Sequence, residues 1–211
     1  MTVSATSTST PALVIRRATS RDLPVIVETL ATGFHDGDFA HWLIPDPIQR
    51  AAAYPAYFKI LTLHALHHSW IDITADGHAV AIWHPIRTQP SHETPIPEYG
   101  RRLANAVGPH ALPRFQTMDE AMDAHHPAGR HHYLGHLAVR PHRRGRGLGT
   151  ALLAHHQQHL DQHDMPAYLE ATGIRNQALY LRNGYQPMPG YRLTGNGPTV
   201  LPMWRDPNPA P

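Results

Sequence analysis

The ordered part of the chain opens with apolar and polar residues in alternation, so "ALVIRRAT" (12–19) reads as a first strand. Thr19 stands three residues before Asp22, a capping-box-like start. A helix through "LPVIVETLATGF" follows. "DGDFAHWLIPDP" (36–47) loses that period and reads as a loop carrying two bulky aromatics. Asp46 and Pro47 suit the N-cap and first position of a second helix reaching Leu66, with Pro55 expected to bend or break it. "WIDIT" (70–74), the turn "ADGH" and "AVAIWHP" (79–85) make a hairpin. Residues 86–130 carry several prolines and two weaker helical patterns, around 97–107 and 112–124.

The C-terminal half is more regular. "HHYLGHLAV" (131–139) is a strand, Gly147–His163 a helix, and "PAYLEAT" (166–172) a second strand of the same kind. A strand–helix–strand run of this sort implies a parallel pair joined by a right-handed crossover. Asn176–Asn183 is a short helix ending at Gly184, which suits a C′ position. "YQPMPGYRL" and "TVLPMW" close the chain as a hairpin around "TGNGP". The pattern predicts one mixed α/β domain over 12–207, between an N-terminal tail (1–11) and a C-terminal one (208–211).

Composition narrows the chemistry. There is no cysteine, which removes disulfides, thiolate metal ligands and a cysteine nucleophile together. No run of about 18 apolar residues exists, so no membrane span or membrane partner is expected. "MTVSATSTSTPA" lacks the basic start and apolar core of a signal peptide and reads as a disordered tail, while the absence of cysteine fits a cytoplasmic protein. The formal charge is only +2, and the arginines gather at positions 140, 143, 144 and 146 instead of spreading as a stripe. A nucleic-acid partner is therefore not expected. Nineteen histidines are unusual, and His155, His159 and His163 share one helical face at i, i+4, i+8. That spacing suits adventitious surface metal more than a catalytic metal, and no H-E-x-x-H occurs.

The stretch "VRPHRRGRGLGT" (139–150) sits between a strand and a helix. Unpaired amides at a helix start, glycines and clustered arginines suit a phosphate. A P-loop fails for want of its lysine. A Rossmann turn fails because its third glycine position is Thr150 or Leu152. What fits is [QR]-x-x-G-x-[GA], as Arg144-x-x-Gly147-x-Gly149. With "RNQALYLRNGY" (175–185) some thirty residues on, the chain resembles the GNAT superfamily of acyl-CoA-dependent N-acyltransferases. The second segment matches in outline only, its spacing being Asn176-x-Ala178-x-Tyr180 and then Gly184–Tyr185. Further stretches, "VIRRATSRDLPVIVETLATGF", "ADGHAVAIWHP", "PAYLEATGIRN" and "MWRDP", look like puromycin N-acetyltransferase and its actinobacterial relatives.

The resemblance implies a GNAT-like α/β (α+β) fold: a mixed central sheet of about seven strands flanked by helices, with splayed parallel strands in its centre. It implies acetyl-CoA as cofactor. Leu137, Ala138 and Val139 would bond the pantetheine arm, and Arg144, Gly145, Arg146, Gly147, Leu148, Gly149 and Thr150 would hold the pyrophosphate, with Asn176 also touching the cofactor. The Leu137 amide would serve as oxyanion donor. Tyr180 would protonate the leaving thiolate, and Glu170 would take the amine's proton directly or through water. His136 is a second candidate base, although its alternation with Leu137 turns it away from the reacting centre. Phe34, His35, Asp36, Trp42, Trp83 and His84 are acceptor-site candidates; Tyr133, of the same parity as Leu137, is another. No G-x-S-x-G elbow exists, so transfer would be direct, in a ternary complex, in a monomer or homodimer. The expected acceptor is a small-molecule amine, and the narrower resemblance points to an antibiotic or its precursor. Alternatives are an acyltransferase of specialised metabolism, using a larger acyl-CoA or an acyl carrier protein, and a non-catalytic CoA sensor.

Overall fold

The computed structural model describes residues 13–87 and 95–208. The tail expected over 1–11, Ala12 at the head of the first strand, residues 88–94 and residues 209–211 lie outside these.

The N-terminal elements follow their local signals closely. Strand β1 (Ile15–Arg17) is tied to the next helix by Asp22, whose Oδ2 accepts from the amide and hydroxyl of Thr19 at 2.8 and 3.0 Å, while Arg16 bridges both carboxylate oxygens. Helix α1 covers Leu23–Gly33. The stretch expected as a loop contains a short helix, α2 (Asp38–Leu43), whose Phe39, Ala40 and Leu43 are buried. The apolar anchors stand one turn apart there, and burying them outweighs the turn-forming residues around them. Asp46 caps α3 (Pro47–His68) as expected, Oδ1 accepting from the amides of Ile48 and Gln49 at 2.7 and 2.9 Å. Pro55 does not break this helix, which runs through it.

β2 (Trp70–Thr74) and β3 (Ala79–Ile86) form the expected hairpin. The two helical patterns after it merge as α4 (Tyr99–His125), interrupted at Gly108, whose φ of 76° and ψ of 166° are not helical. Pro109 follows directly and starts the second half. β4 (His131–Val139), α5 (Leu148–Gln162) and β5 (Ala167–Ala171) are the strand–helix–strand unit. α6 (Ile174–Arg182) ends in a Schellman motif: Tyr185 N donates to Tyr180 O at 3.1 Å and Gly184 N to Leu181 O at 3.2 Å, with Gly184 at φ 86°. β6 (Gln186–Pro187), β7 (Tyr191–Arg192) and β8 (Thr199–Arg205) complete the chain.

The strand order is β1-β2-β3-β4-β5-β8-β6, with β7 also pairing β8; only β4 and β5 run parallel. One face of the sheet is covered by α1, α3 and α4, through Ile26, Leu30, Phe58 and Phe115 among others. The other is covered by α5 and α6, through Leu152, Leu153, Leu160 and Tyr180. A buried polar chain fastens α5 to the sheet. Asp72 Oδ2 accepts from His156 Nδ1 at 2.9 Å, and His156 Nε2 meets His132 Nδ1 at 3.0 Å. This helix carries the arginine–glycine loop at its start, so the chain of side chains sets that loop's place on the sheet.

Candidate active site

The parallel pair separates as it runs. β4 and β5 are paired only at His132–Ala167, Tyr133–Tyr168 and Leu134–Leu169. Beyond Leu134, β4 stays with β3 as far as Val139, while Glu170 and Ala171 stay with β8. A wedge thus opens between the two strands, and the edge of β4 from Gly135 to Val139 has no strand on its β5 side. Buried backbone groups need partners, so such an edge suits an extended amide-bearing ligand.

A bulge sits at the root of the wedge. Ile82 lies opposite His136 and Trp83 opposite Leu134, leaving Gly135 without a partner of its own. An extra residue reverses the alternation beyond it. Leu137 and Val139 therefore join Leu134 on the α5 side. His136 and Ala138 share the α1–α3 side with Tyr133, His136 standing edge-on to the rings of Phe34 and Phe58 at 5.7 and 5.8 Å. The expectation that Tyr133 keeps the parity of Leu137 is thus corrected: the bulge puts them on opposite faces. Gly135 is also where His84 fits closely, since a Cβ there would stand 2.9 Å from His84 Nε2.

The loop after β4 has the features of an anion cradle. Gly145 and Gly147 sit at φ 76° and 78°, and a Cβ at either would meet nothing within 4 Å, so the backbone lies open on that side. Leu148, Gly149 and Thr150 are the first residues of α5, and their amides have no intrahelical acceptor. Arg140 is tied to Glu28 at 2.9 Å and to Thr29, and Arg144 donates to the carbonyl of Gly33 at 2.7 Å. These two arginines staple the loop to the end of α1. Arg144 thus spends one guanidinium nitrogen on the protein.

Tyr180 is buried, 8% exposed, in the cluster under α5 and α6. Its hydroxyl makes no hydrogen bond among the described residues, and burial raises its pKa. Asn176 is exposed and donates to Thr172 Oγ1 at 3.2 Å. Glu170 opens on the other face. Oε2 accepts from Tyr133 OH at 2.9 Å, and Oε1 accepts from Tyr168 OH at 3.1 Å and Tyr191 OH at 2.9 Å. Burial raises the Glu170 pKa, and the three hydroxyls pull it back in part. Tyr180 and Glu170 therefore stand on opposite sides of the wedge.

The acceptor candidates divide. Trp42, with Asp38, Thr172, Ile174, Arg192 and Leu201, lines a cavity of about 560 Å³ where α2, the start of α6 and the β7–β8 turn meet. His84 lies on Glu170's side, its ring 5.9 Å from that of Tyr133 and its Nδ1 2.8 Å from Ser69 Oγ; burial pushes its pKa down to about 3. His35 and Asp36 instead line a separate cavity between α1 and α3. Phe34 packs against Phe58. Trp83 is fully buried on the opposite face, its ring stacked on His156 at 4.2 Å, and belongs to the core, not to an acceptor site. Among the described residues no three His, Cys, Asp or Glu are arranged to hold an ion.

Tyr168, Tyr191 and His126 were not foreseen. Tyr168 was within reach, since it precedes Glu170 by two in a strand and so shares its face. Tyr191 and His126 carry no local signal.

Residues 115–187 match the acetyltransferase (GNAT) domain family. The match covers about a third of the chain, from within α4 through β4, α5, β5 and α6 to β6. A crystal structure from Corynebacterium glutamicum, described as histone acetyltransferase HPA2 and related acetyltransferase, is similar over 94% of this chain and 98% of that one, at 28% identity and a TM-score of 0.70. Arylalkylamine N-acetyltransferase 2 from Aedes aegypti shares the fold at 15% identity and a TM-score of 0.62, over 93% of this chain and 99% of that one. So does the PaiA N-acetyltransferase of Thermoplasma acidophilum in complex with coenzyme A, at 12% identity and a TM-score of 0.57, over 92% and 99%. The match and the likeness support an N-acetyltransferase with acetyl-CoA as its cofactor. The wedge and the bare glycine loop are the features such a cofactor needs, a strand edge for its amides and open backbone for its phosphates. No helix among the described residues is long and apolar enough to cross a membrane.

Proposed function

We propose that the protein transfers the acetyl group of acetyl-CoA directly to a primary amine of a small molecule. The observation that carries this reading is Glu170 at the root of the wedge, half-buried, with a raised pKa, and on the face opposite Tyr180. Acetyl-CoA supplies the activated acyl thioester when bound. The β4 edge at Leu137, Ala138 and Val139 would hold the pantetheine arm, and the amides from Gly145 to Thr150 the pyrophosphate, with Arg144 and Arg146 beside them. Arg144 would do so with the guanidinium nitrogens it does not give to Gly33. Asn176 is solvent-exposed near the start of α6, a position from which it could touch the cofactor.

Glu170 removes the proton that keeps an amine unreactive at neutral pH. His84 is a poorer base, since burial leaves it neutral but hardly able to retain a proton. His136 is held among phenylalanines, with Nδ1 unpartnered, and its pKa is pushed to about 4. Tyr180 OH, without a hydrogen bond among the described residues, gives its proton to the departing sulfur. The amine arrives through the cavity beside Trp42, whose 560 Å³ suits a small molecule. The sequence likeness to puromycin N-acetyltransferase favours an antibiotic or its precursor among such amines.

The test is release of CoA thiol from acetyl-CoA with a panel of aminonucleosides, aminoglycosides and arylalkylamines. Turnover with at least one small amine is expected. Turnover only with peptides, or only with longer acyl-CoAs, overturns the acceptor or the acyl assignment respectively.

A further inference from the structure

Glu170 is held from three elements at once. Tyr133 comes from β4, Tyr168 from β5 itself and Tyr191 from β7, each hydroxyl within 3.1 Å of a carboxylate oxygen. None of the three hydroxyls has another acceptor among the described residues. A carboxylate oxygen accepts about two such bonds. Oε1 is therefore filled by Tyr168 and Tyr191, and Oε2, which takes only Tyr133, keeps one position. Tyr168 is fully buried. Three donors converging on one carboxyl suit its ionised form, because a protonated carboxyl would bring a fourth hydrogen into the group.

The surroundings have little other means of holding that charge. Asp123 on α4 adds a second negative charge. His126 meets the rings of Tyr133 and Tyr168 at 4.8 Å each, and its pKa is pushed to about 4, so it stays neutral. His131 lies 5.8 Å from Tyr168 and is also lowered by burial. His84 faces Tyr133, His125 stacks on Tyr191 at 3.7 Å, and Pro202 is the partner across β8. No arginine or lysine pairs with Glu170 among the described residues. The hydroxyls are what compensates the charge.

We propose that Tyr133, Tyr168 and Tyr191 are positioning residues that keep Glu170 ionised and leave one acceptor position, on Oε2, for the proton of the attacking amine. The step balances simply. The ammonium N–H bond breaks as an O–H bond forms on Oε2, and the electron pair left on nitrogen becomes the nucleophile. The role of the amine rests on the acetyltransferase reading; the cage does not.

The experiment reads both separately. The carboxyl ¹³C signal of Glu170, assigned by its loss in Glu170→Gln, is titrated in the free protein and in Tyr191→Phe and Tyr133→Phe. In parallel, kcat/KM is followed against pH. Loss of one hydroxyl is expected to raise the Glu170 midpoint by about one unit. The acid limb of kcat/KM moves up with it, because activity needs the carboxylate, while the rate on the high-pH plateau stays within a few-fold. An unmoved midpoint overturns the proposal, as does a plateau rate that collapses with the midpoint unmoved. A raised midpoint in a protein that acetylates no amine upholds the cage and sinks only the acetyltransferase reading of the site. Should Tyr133→Phe misfold, Tyr191→Phe, at a half-buried residue near the sheet's edge, decides alone.

Discussion

The two sides of the wedge are built in different ways. The proposed cofactor side is a single short segment: strand end, bare loop and helix start lie within residues 134–150, and its geometry comes from positive-φ glycines and unpaired amides. The proposed acceptor side is assembled from β4, β5, β7, α2 and α4, elements far apart in the chain, and its key contact joins Tyr133, Tyr168 and Tyr191 around Glu170. A loop that grips backbone-accessible phosphates needs few side chains, so it is written locally. A pocket that discriminates one amine from another needs side chains converging from several directions. On the proposed assignment, cofactor choice and acceptor choice are expected to change independently.

The sharpest way to test that independence is Glu170→Gln. It is expected to lower kcat by about 10²–10⁴-fold, the usual contribution of a general base. Calorimetry should show coenzyme A binding unchanged; a weakened cofactor would mean the two sides are coupled. Tyr180→Phe comes next, with turnover down about 10²-fold and CoA affinity retained. Unchanged turnover would remove Tyr180 from the mechanism.

Acidification should strike both sides together. His84 and His132 are pushed to about 3, and His126 and His136 to about 4, by burial in each case. These values lie below the 6.5 or so of an unfolded histidine. The unfolded chain therefore takes up more protons between pH 6.5 and 3, and stability falls as pH drops through that window. Urea midpoints should be level above about pH 6.5 and decline steadily below it. A midpoint that holds to pH 4 would show that the histidines are not enclosed as described.

Gly147→Ala breaks the cofactor side alone. Nothing stands near the added Cβ, so the cost is the strained φ of 78°, about 1–2 kcal/mol. A lower melting temperature and weaker CoA binding are expected, with the Glu170 titration unaltered. The smallest effect belongs to Asp46→Ala, remote from both. It removes the α3 cap at a cost of about 1 kcal/mol and should leave kcat and KM as they were.

Much of the fold was legible along the chain. Asp46–Pro47, Gly184, the "ADGH" turn and the period of β4–α5–β5 are short-range signals, and each marks the element it predicts. The failures share one cause, a contact made at a distance. α2 forms because Phe39 and Leu43 find the core; Pro55 is tolerated inside a helix anchored by Tyr54, Tyr57 and Phe58. Trp83 was placed in the acceptor site, but which face of β3 it takes is set by pairing and by the stack on His156.

The spacing Arg144-x-x-Gly147-x-Gly149 carries the resemblance that implies coenzyme A, and phosphate binding depends on backbone freedom and helix starts, which are properties of neighbouring residues. It could not say where Tyr133 would point. One unpaired glycine in β4 reverses the alternation between Tyr133 and Leu137, and it takes the register of the folded sheet to reveal that. The grip on Glu170 follows from the same register, since three hydroxyls can meet one carboxylate only after β4, β5 and β7 have been laid side by side.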